Sequence, residues 1–187
     1  MLYGIRCFGG RTNLNHGRLR PSLHRCLNAT TTQTKSKDDI TILGIESSCD
    51  DSCIGVVRYK DRSILADERT SQFNVHQAYG GIVPILAVRE HEKNLPLALE
   101  RAEAKLGKTI KSIDIIAVTT GPGLKACLRT GMNLALDLSQ TLNVPVIGVN
   151  HLEAHTLVPR LEYENIQFPY MSPVSYTHLT LPTICSV

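Results

Sequence analysis

The chain is 187 residues long and lacks several features that would narrow its class at once. It has no apolar run long enough for a membrane-spanning helix, so no segment is read as crossing a bilayer. Its six cysteines (Cys7, Cys26, Cys49, Cys53, Cys127, Cys185) form no C-x-x-C pair and are too sparse for a disulfide scaffold. Cys49 and Cys53, four apart, read as small packing residues astride a turn in a reducing compartment, with a metal role the lesser reading. No internal repeat is present. Residues 1–37 contain no Asp or Glu but seven Arg or Lys: Arg6, Arg11, Arg18, Arg20, Arg25, Lys35 and Lys37. The net charge of +3 is therefore carried by one end. The other 13 of the 20 basic residues meet 17 acidic ones, so the remainder stands at −4 and offers no basic field for nucleic acid.

That first segment is rich in Arg, Ser, Thr and Asn and has no apolar core of the kind a secretory signal needs. It reads as a mitochondrial transit peptide, which places the protein in the matrix. A disordered basic tail or a translated upstream region is the plainer alternative. The 42% apolar content is enough to bury a core, and the length suits one domain or one lobe of a larger protein.

What is present beyond residue 37 has a clear order. Ile40–Ile45 and Cys53–Tyr59 are short β-branched runs joined by the polar stretch from Glu46 to Ser52, and Ile64–Thr70 continues the meander. From Pro84 to Leu106, Val88, Leu95, Ala98, Leu99, Ala102 and Leu106 recur at helical spacing, and Gly107 is placed to stop the helix. Ile113–Thr120 is a buried-strand pattern broken by Gly121-Pro122-Gly123. Leu124, Cys127, Leu128, Gly131, Ala135, Leu138 and Leu142 then stripe one face of a second helix, where Gly131 predicts close contact with a neighbouring element. Val144–Val149 reads as another buried strand. The sum is an α/β chain with a mixed sheet and crossover helices.

Three places could carry chemistry. His151-Leu152-Glu153-Ala154-His155 follows the last strand, and on a helix residues i and i+4 share a face, so both imidazoles can address one ion. Zinc peptidases of the H-E-x-x-H type place a general base one residue after the first His; here Glu153 comes two after, about 200° round the helix. Two surface or capping histidines are the bland alternative. The tip between the first two strands brings Ser47, Ser48 and Ser52 hydroxyls beside Asp50 and Asp51, suited either to a phosphate or cation, or to a turn satisfying its own backbone. Gly121-Pro122-Gly123, between strand and helix, is a natural anion site, with Lys125 and Arg129 adding charge, or no more than a sharp turn. His76 and His91 flank the flexible joint Tyr79–Pro84 and read as hydrogen-bonded structural residues without a functional role.

Taken together, Ile42 to Asp51, His76 to His91, Val118 to Leu124 and Val149 to His155 resemble, in one order, the universal tRNA threonylcarbamoyladenosine transferase family, once misnamed O-sialoglycoprotein endopeptidase. The basic leader suggests its mitochondrial branch. The resemblance spans about residues 40–170. It implies an actin-like lobe, related to Hsp70 and sugar kinases, forming most of the first of two lobes. It also implies transfer of the threonylcarbamoyl group from threonylcarbamoyl-AMP to the adenosine beside the anticodon of tRNAs reading codons that begin with A. By the same resemblance His151 and His155 match ligands to one divalent ion, zinc or iron. Asp50 matches the acidic catalytic residue of the first loop, and Ser47, Ser48, Gly121 and Gly123 match the part that holds the acyl-adenylate. The implied partners are tRNA, threonylcarbamoyl-AMP and a second copy of the chain. The family has a polar residue or Pro where this chain has Ile85, and it continues past Tyr170 into a Ser-Gly-Gly-His loop and a second lobe with a further aspartate ligand. Residues 171–187 match none of that and read as an unrelated or artefactual end, so the chain as written is expected to be inactive. The competing readings are a metal-dependent glycoprotein endopeptidase and a noncatalytic actin-like binding lobe.

Overall fold

Thr41–Glu46 (β1) is buried along its whole length, as a strand must be when it lies in mid-sheet with both faces covered. It pairs antiparallel with Asp51–Arg58 (β2), from Thr41 opposite Arg58 to Glu46 opposite Cys53, and β2 pairs antiparallel with Ile64–Ser71 (β3). On its other side β1 runs parallel to Ile115–Gly121 (β4), which runs parallel to Val146–Asn150 (β5). The sheet order is β3-β2-β1-β4-β5, a meander continued by parallel crossover strands, which is the topology of an actin-like lobe. The structure is a computed structural model that describes residues 40–107, 110–163, 165–172 and 183–184. The basic leader and most of 171–187 lie outside the described residues. Met171–Ser172 (β6) and Thr183–Ile184 (β7) form a separate antiparallel pair.

Strand alternation sorts the side chains. Leu43 and Ile45 of β1, Ile54 and Val56 of β2, and Ile116 and Val118 of β4 join one buried cluster with Leu95, Ala98, Ala102 and Ala135 of the helices. Each fully buried Ile, Leu or Val there contributes about 1.5–3 kcal/mol. Pro84–Leu106 (α2) packs on β2 and β3, Lys125–Leu142 (α3) packs on β1 and β4, and the two helices touch each other. The helices end where the sequence placed the signals: Pro84 opens α2, and Gly107, in the left-handed region at φ 56°, closes it.

Three features differ from expectation. Phe73–Gln77 (α1) forms a short helix after β3 that periodicity did not reveal, because five residues are too few to show a period. The strands extend into polar residues, Glu46, Asp51, Ser52 and Asn150, since ladder bonds are made by backbone whatever the side chain. Finally, Val144–Val149, read as buried, is mostly β5, which lies at the sheet margin and is half-exposed because only β4 flanks it among the described residues. Among the described residues no helix is long and apolar enough to cross a membrane.

Candidate active site at the ends of the parallel strands

The three parallel strands β1, β4 and β5 run in one direction, so their carboxyl ends, Glu46, Gly121 and Asn150, line one edge of the sheet. In open α/β sheets ligands sit at that edge. Glu46 alternates with Ile45 and therefore projects from the sheet face opposite the α2–α3 cluster, as does Thr119 relative to Val118. The two meet: Thr119 donates its hydroxyl to Glu46 Oε2 at 2.5 Å, and the Ser48 amide donates to Oε1 at 2.5 Å.

His151 opens the helix His151–Leu157 (α4) directly after β5. The turn is made by Asn150, whose side-chain oxygen accepts from the amides of Leu152 (2.9 Å) and Glu153 (3.2 Å), supplying two of the donors a helix start leaves unpaired with an acceptor. This cap aims His151 back over the strand ends. Its Nδ1 lies 3.2 Å from Glu46 Oε2 and 3.2 Å from Ser48 Oγ. A carboxylate oxygen only accepts, so Nδ1 carries the proton and Nε2 is the nitrogen with a lone pair to give in the neutral ring. Burial by itself would raise the Glu46 carboxyl, but the bonds from His151, Ser48 and Thr119 outweigh it and hold it down to about 2. The His155 ring stands one turn on, its centroid 4.5 Å from that of His151 and its plane at 81° to it. Loss of water around the ring, and then the neighbouring His151, hold His155 below the ordinary imidazole range. Glu153 is exposed.

The loop Ser47–Asp50 lies against the start of α3. A Cβ built on Gly123 would come within 2.6 Å of the Ser48 carbonyl oxygen and 2.8 Å of its Cβ, and one on Gly131 would press into the Ser47 hydroxyl. Only glycine permits these approaches. Ser47 Oγ donates to the Cys127 carbonyl at 2.9 Å, so its hydroxyl is spent on the helix. The Leu124 amide donates to the Ser48 carbonyl at 2.8 Å. Gly121 and Gly123 thus flank the contact between this loop and α3, while Lys125 and Arg129 are exposed. Asp50, half-buried, follows in the same loop, its carbonyl accepting from the Gln72 amide at 2.9 Å. His91 and His76 are both buried and hydrogen-bonded. Cys49 and Cys53 do not straddle the β1–β2 turn as expected: Cys49 lies within it, and Cys53 is on β2 opposite Glu46, because β2 already begins at Asp51. Burial and then nearby carboxylates push their thiols up, to about 11 and about 12.

The described residues offer a divalent ion two imidazoles on one helix face, one of them oriented by a buried carboxylate, the usual support for a ligating histidine. Among them no group of three or more His, Cys, Asp or Glu converges. Catalytic zinc normally takes three protein ligands, so the donor set fits a metal in part. Reading the sequence alone left out Glu46, Thr119 and Asn150. The available signal was a lone carboxylate on the Ile42, Gly44, Glu46 face of an apolar strand.

Fold and site together define an actin-like α/β lobe with a histidine pair and a serine-rich loop gathered at its parallel strand ends. A family model described as TsaD, tRNA N6-adenosine threonylcarbamoyltransferase, matches residues 63–175. The chain belongs to that family. Curated relatives bearing the same description include a protein of Buchnera aphidicola subsp. Schizaphis graminum, 44% identical over 131 residues, which are 70% of this chain and 38% of that protein. Another, from Paracoccus denitrificans, is 46% identical over 132 residues, 71% of this chain and 36% of that protein. The chain therefore spans little more than a third of the length of these relatives. Among solved structures, YeaZ from Pseudomonas aeruginosa aligns with a TM-score of 0.49 at 16% identity, covering 67% of this chain and 50% of that one.

Proposed function

We propose that this chain is the first lobe of an enzyme that transfers the threonylcarbamoyl group of threonylcarbamoyl-AMP to the exocyclic amine of the adenosine beside the anticodon, in tRNAs reading codons that begin with A. Family membership supports the reaction, and the observation that carries the site is the His151–Glu46 contact, with His155 one turn away. His151 and His155 would hold one divalent ion, zinc or iron, whose chemistry is to bind the acyl-adenylate oxygens and stabilise charge developing at the carbonyl.

The chain's own residues do the rest. Glu46 keeps the His151 ring in one tautomer and one orientation. The Ser47–Ser48 loop and the Gly121–Gly123 turn shape the place for the adenylate beside the start of α3. Asp50 orients the adenosine amine and accepts its proton as nitrogen bonds to the carbonyl carbon and the bond from that carbon to the phosphate oxygen breaks, releasing AMP. A third ligand is expected outside this lobe, in the part of the relatives' length that this chain does not span, and the 187-residue chain by itself is expected to be inactive. The acid-free leader supports import into the mitochondrial matrix, and the enzyme works as a homodimer.

The test uses the full-length enzyme with threonylcarbamoyl-AMP and tRNA, and the 187-residue chain beside it. Threonylcarbamoyladenosine forms with the first and not with the second, and His151→Ala and His155→Ala in the full-length protein lose metal and product together. Peptide cleavage without tRNA modification would favour the endopeptidase reading. Metal content unchanged by His151→Ala would favour a noncatalytic lobe.

A further inference from the structure

The segment from Gln72 to His91 takes no part in the chemistry proposed above, yet four of its polar groups and neighbours are buried: Ser52 and His91 at 0% exposure, Gln72 at 1% and His76 at 4%. Buried polar side chains are costly unless satisfied, so what they hold matters. They hold the Asp50 loop. Three consecutive loop carbonyls are each taken by a donor from a different element. The Ser48 carbonyl accepts from the Leu124 amide at the start of α3 (2.8 Å), that of Cys49 from His91 Nε2 on α2 (3.0 Å), and that of Asp50 from the Gln72 amide at the start of α1 (2.9 Å).

Two of those donors are backbone. The third is a side chain, and its state is determined by its partners. The Cys49 carbonyl only accepts, so Nε2 carries the proton, and Nδ1 takes the Ser52 hydroxyl at 2.7 Å. Burial, opposed by the Cys49 bond and the nearby carboxylates Glu46, Asp50 and Asp51, lowers the imidazole's affinity for a second proton, in keeping with the neutral ring. Gln72 is braced in turn: its Nε2 donates to the Ala87 carbonyl (3.2 Å), its Oε1 meets His76 Nε2 (3.0 Å), and His76 Nδ1 accepts from the Val83 amide (3.3 Å). The loop is thereby tied to the first turns of α2 along two routes.

We infer that His91 is a positioning residue: its Nε2–H bond to the Cys49 carbonyl sets the Ser48-Cys49-Asp50 turn, and so the point from which Asp50 meets the adenosine amine. This rests on the transferase reading above. A reacting group displaced by about 1 Å costs up to roughly a hundredfold in rate.

The test compares His91→Gln, whose amide nitrogen can replace Nε2 toward Cys49, with His91→Asn, whose amide reaches only the Nδ1 position beside Ser52. Both are made in the full-length enzyme. Per folded molecule, His91→Gln keeps kcat within a few-fold, while His91→Asn loses about ten- to a hundredfold in kcat with a smaller change in KM for threonylcarbamoyl-AMP. Amide hydrogen exchange of residues 47–52 rises in His91→Asn and not in His91→Gln. Equal kcat in the two variants, or unchanged exchange in His91→Asn, overturns the inference. Should His91→Asn not fold, Ser52→Ala takes its place, releasing one side of the ring, with faster loop exchange expected and unchanged exchange overturning. A wild-type enzyme that makes no product ends the transferase reading, and the exchange pattern then decides the loop clamp by itself.

Discussion

The imidazole of His151 and the carboxylate of Glu46 meet across 105 positions of sequence, Nδ1 to Oε2 at 3.2 Å. Glu46 comes from the end of β1 and His151 from the first residue of α4, so two strands of the same sheet bring them together.

Glu46→Gln tests what that contact does. The carboxylate accepts on both oxygens, from the Ser48 amide on one and Thr119 on the other. A carboxamide must turn an N–H toward one of these donors whichever way it lies, leaving a buried donor unpaired at about 1–3 kcal/mol. The expected result is a lower unfolding temperature and metal retention by the full-length protein about 10- to 100-fold weaker. Metal content after dialysis checks it, and equal retention in variant and wild type would remove Glu46 from the site.

Asn150→Ala removes the cap that seats His151. The two amides of Leu152 and Glu153 lose their acceptor, which costs about 1 kcal/mol and loosens the first turn of α4. Asn150→Asp keeps an acceptor and adds favourable charge at a helix start, so it should match wild type in thermal unfolding. If Asp is as damaging as Ala, capping is not what Asn150 supplies.

Gly131 and Ser47 form a pair whose coupling has a predictable sign. In the wild-type background Gly131→Ala pushes a methyl into the Ser47 hydroxyl, which is itself bonded to the Cys127 carbonyl, and destabilises by about 1–3 kcal/mol. Once Ser47→Ala has removed that oxygen, the next atom is Ser47 Cβ at 3.4 Å, an ordinary contact, and the helix gains from losing a mid-helix glycine by up to about 1 kcal/mol. Gly131→Ala should thus be damaging alone and neutral to stabilising in the Ser47→Ala background, read from a double-mutant cycle in denaturant.

The thiols of Cys49 and Cys53 give a pH signature. Raised from 9.0 to about 11 and about 12, they carry about a hundredfold and a thousandfold less thiolate at pH 8 than ordinary thiols. Because the folded thiols keep their protons to higher pH than the unfolded ones, their contribution to stability is fully present below about pH 9 and is lost as pH climbs from 9 toward 11–12, where unfolding lets them ionise. Site-resolved alkylation should therefore be slow in the native protein and keep rising about tenfold per pH unit past 9, where the denatured protein levels off. A native plateau near pH 9 would contradict the buried setting of these residues.

The parts legible in the sequence are those that depend on near neighbours. The α2 and α3 stripes, the Gly107 stop and the meander of β1 to β3 were readable because side-chain period and cap residues act within a few positions. The histidine pair was readable for the same reason, being one helical turn apart. The crowding at Gly131 also showed, since a glycine on an apolar stripe gives up side-chain burial and is favoured there chiefly when another element comes too close for a Cβ. That β5 has only β4 beside it among the described residues did not, because an apolar run looks the same at a margin as in mid-sheet.

Residue order alone was enough for the succession of elements, the face of α4 that carries both imidazoles, and the family motifs. The folded chain was needed to show that Glu46 is the partner of His151, that Ser47 serves α3 while Ser48 faces the histidine, and that His91 grips the Cys49 carbonyl. The reason is geometric: each of these bonds closes across 42 or more positions of chain, a distance over which residue identity carries no information about direction until strand register and helix packing have placed both ends.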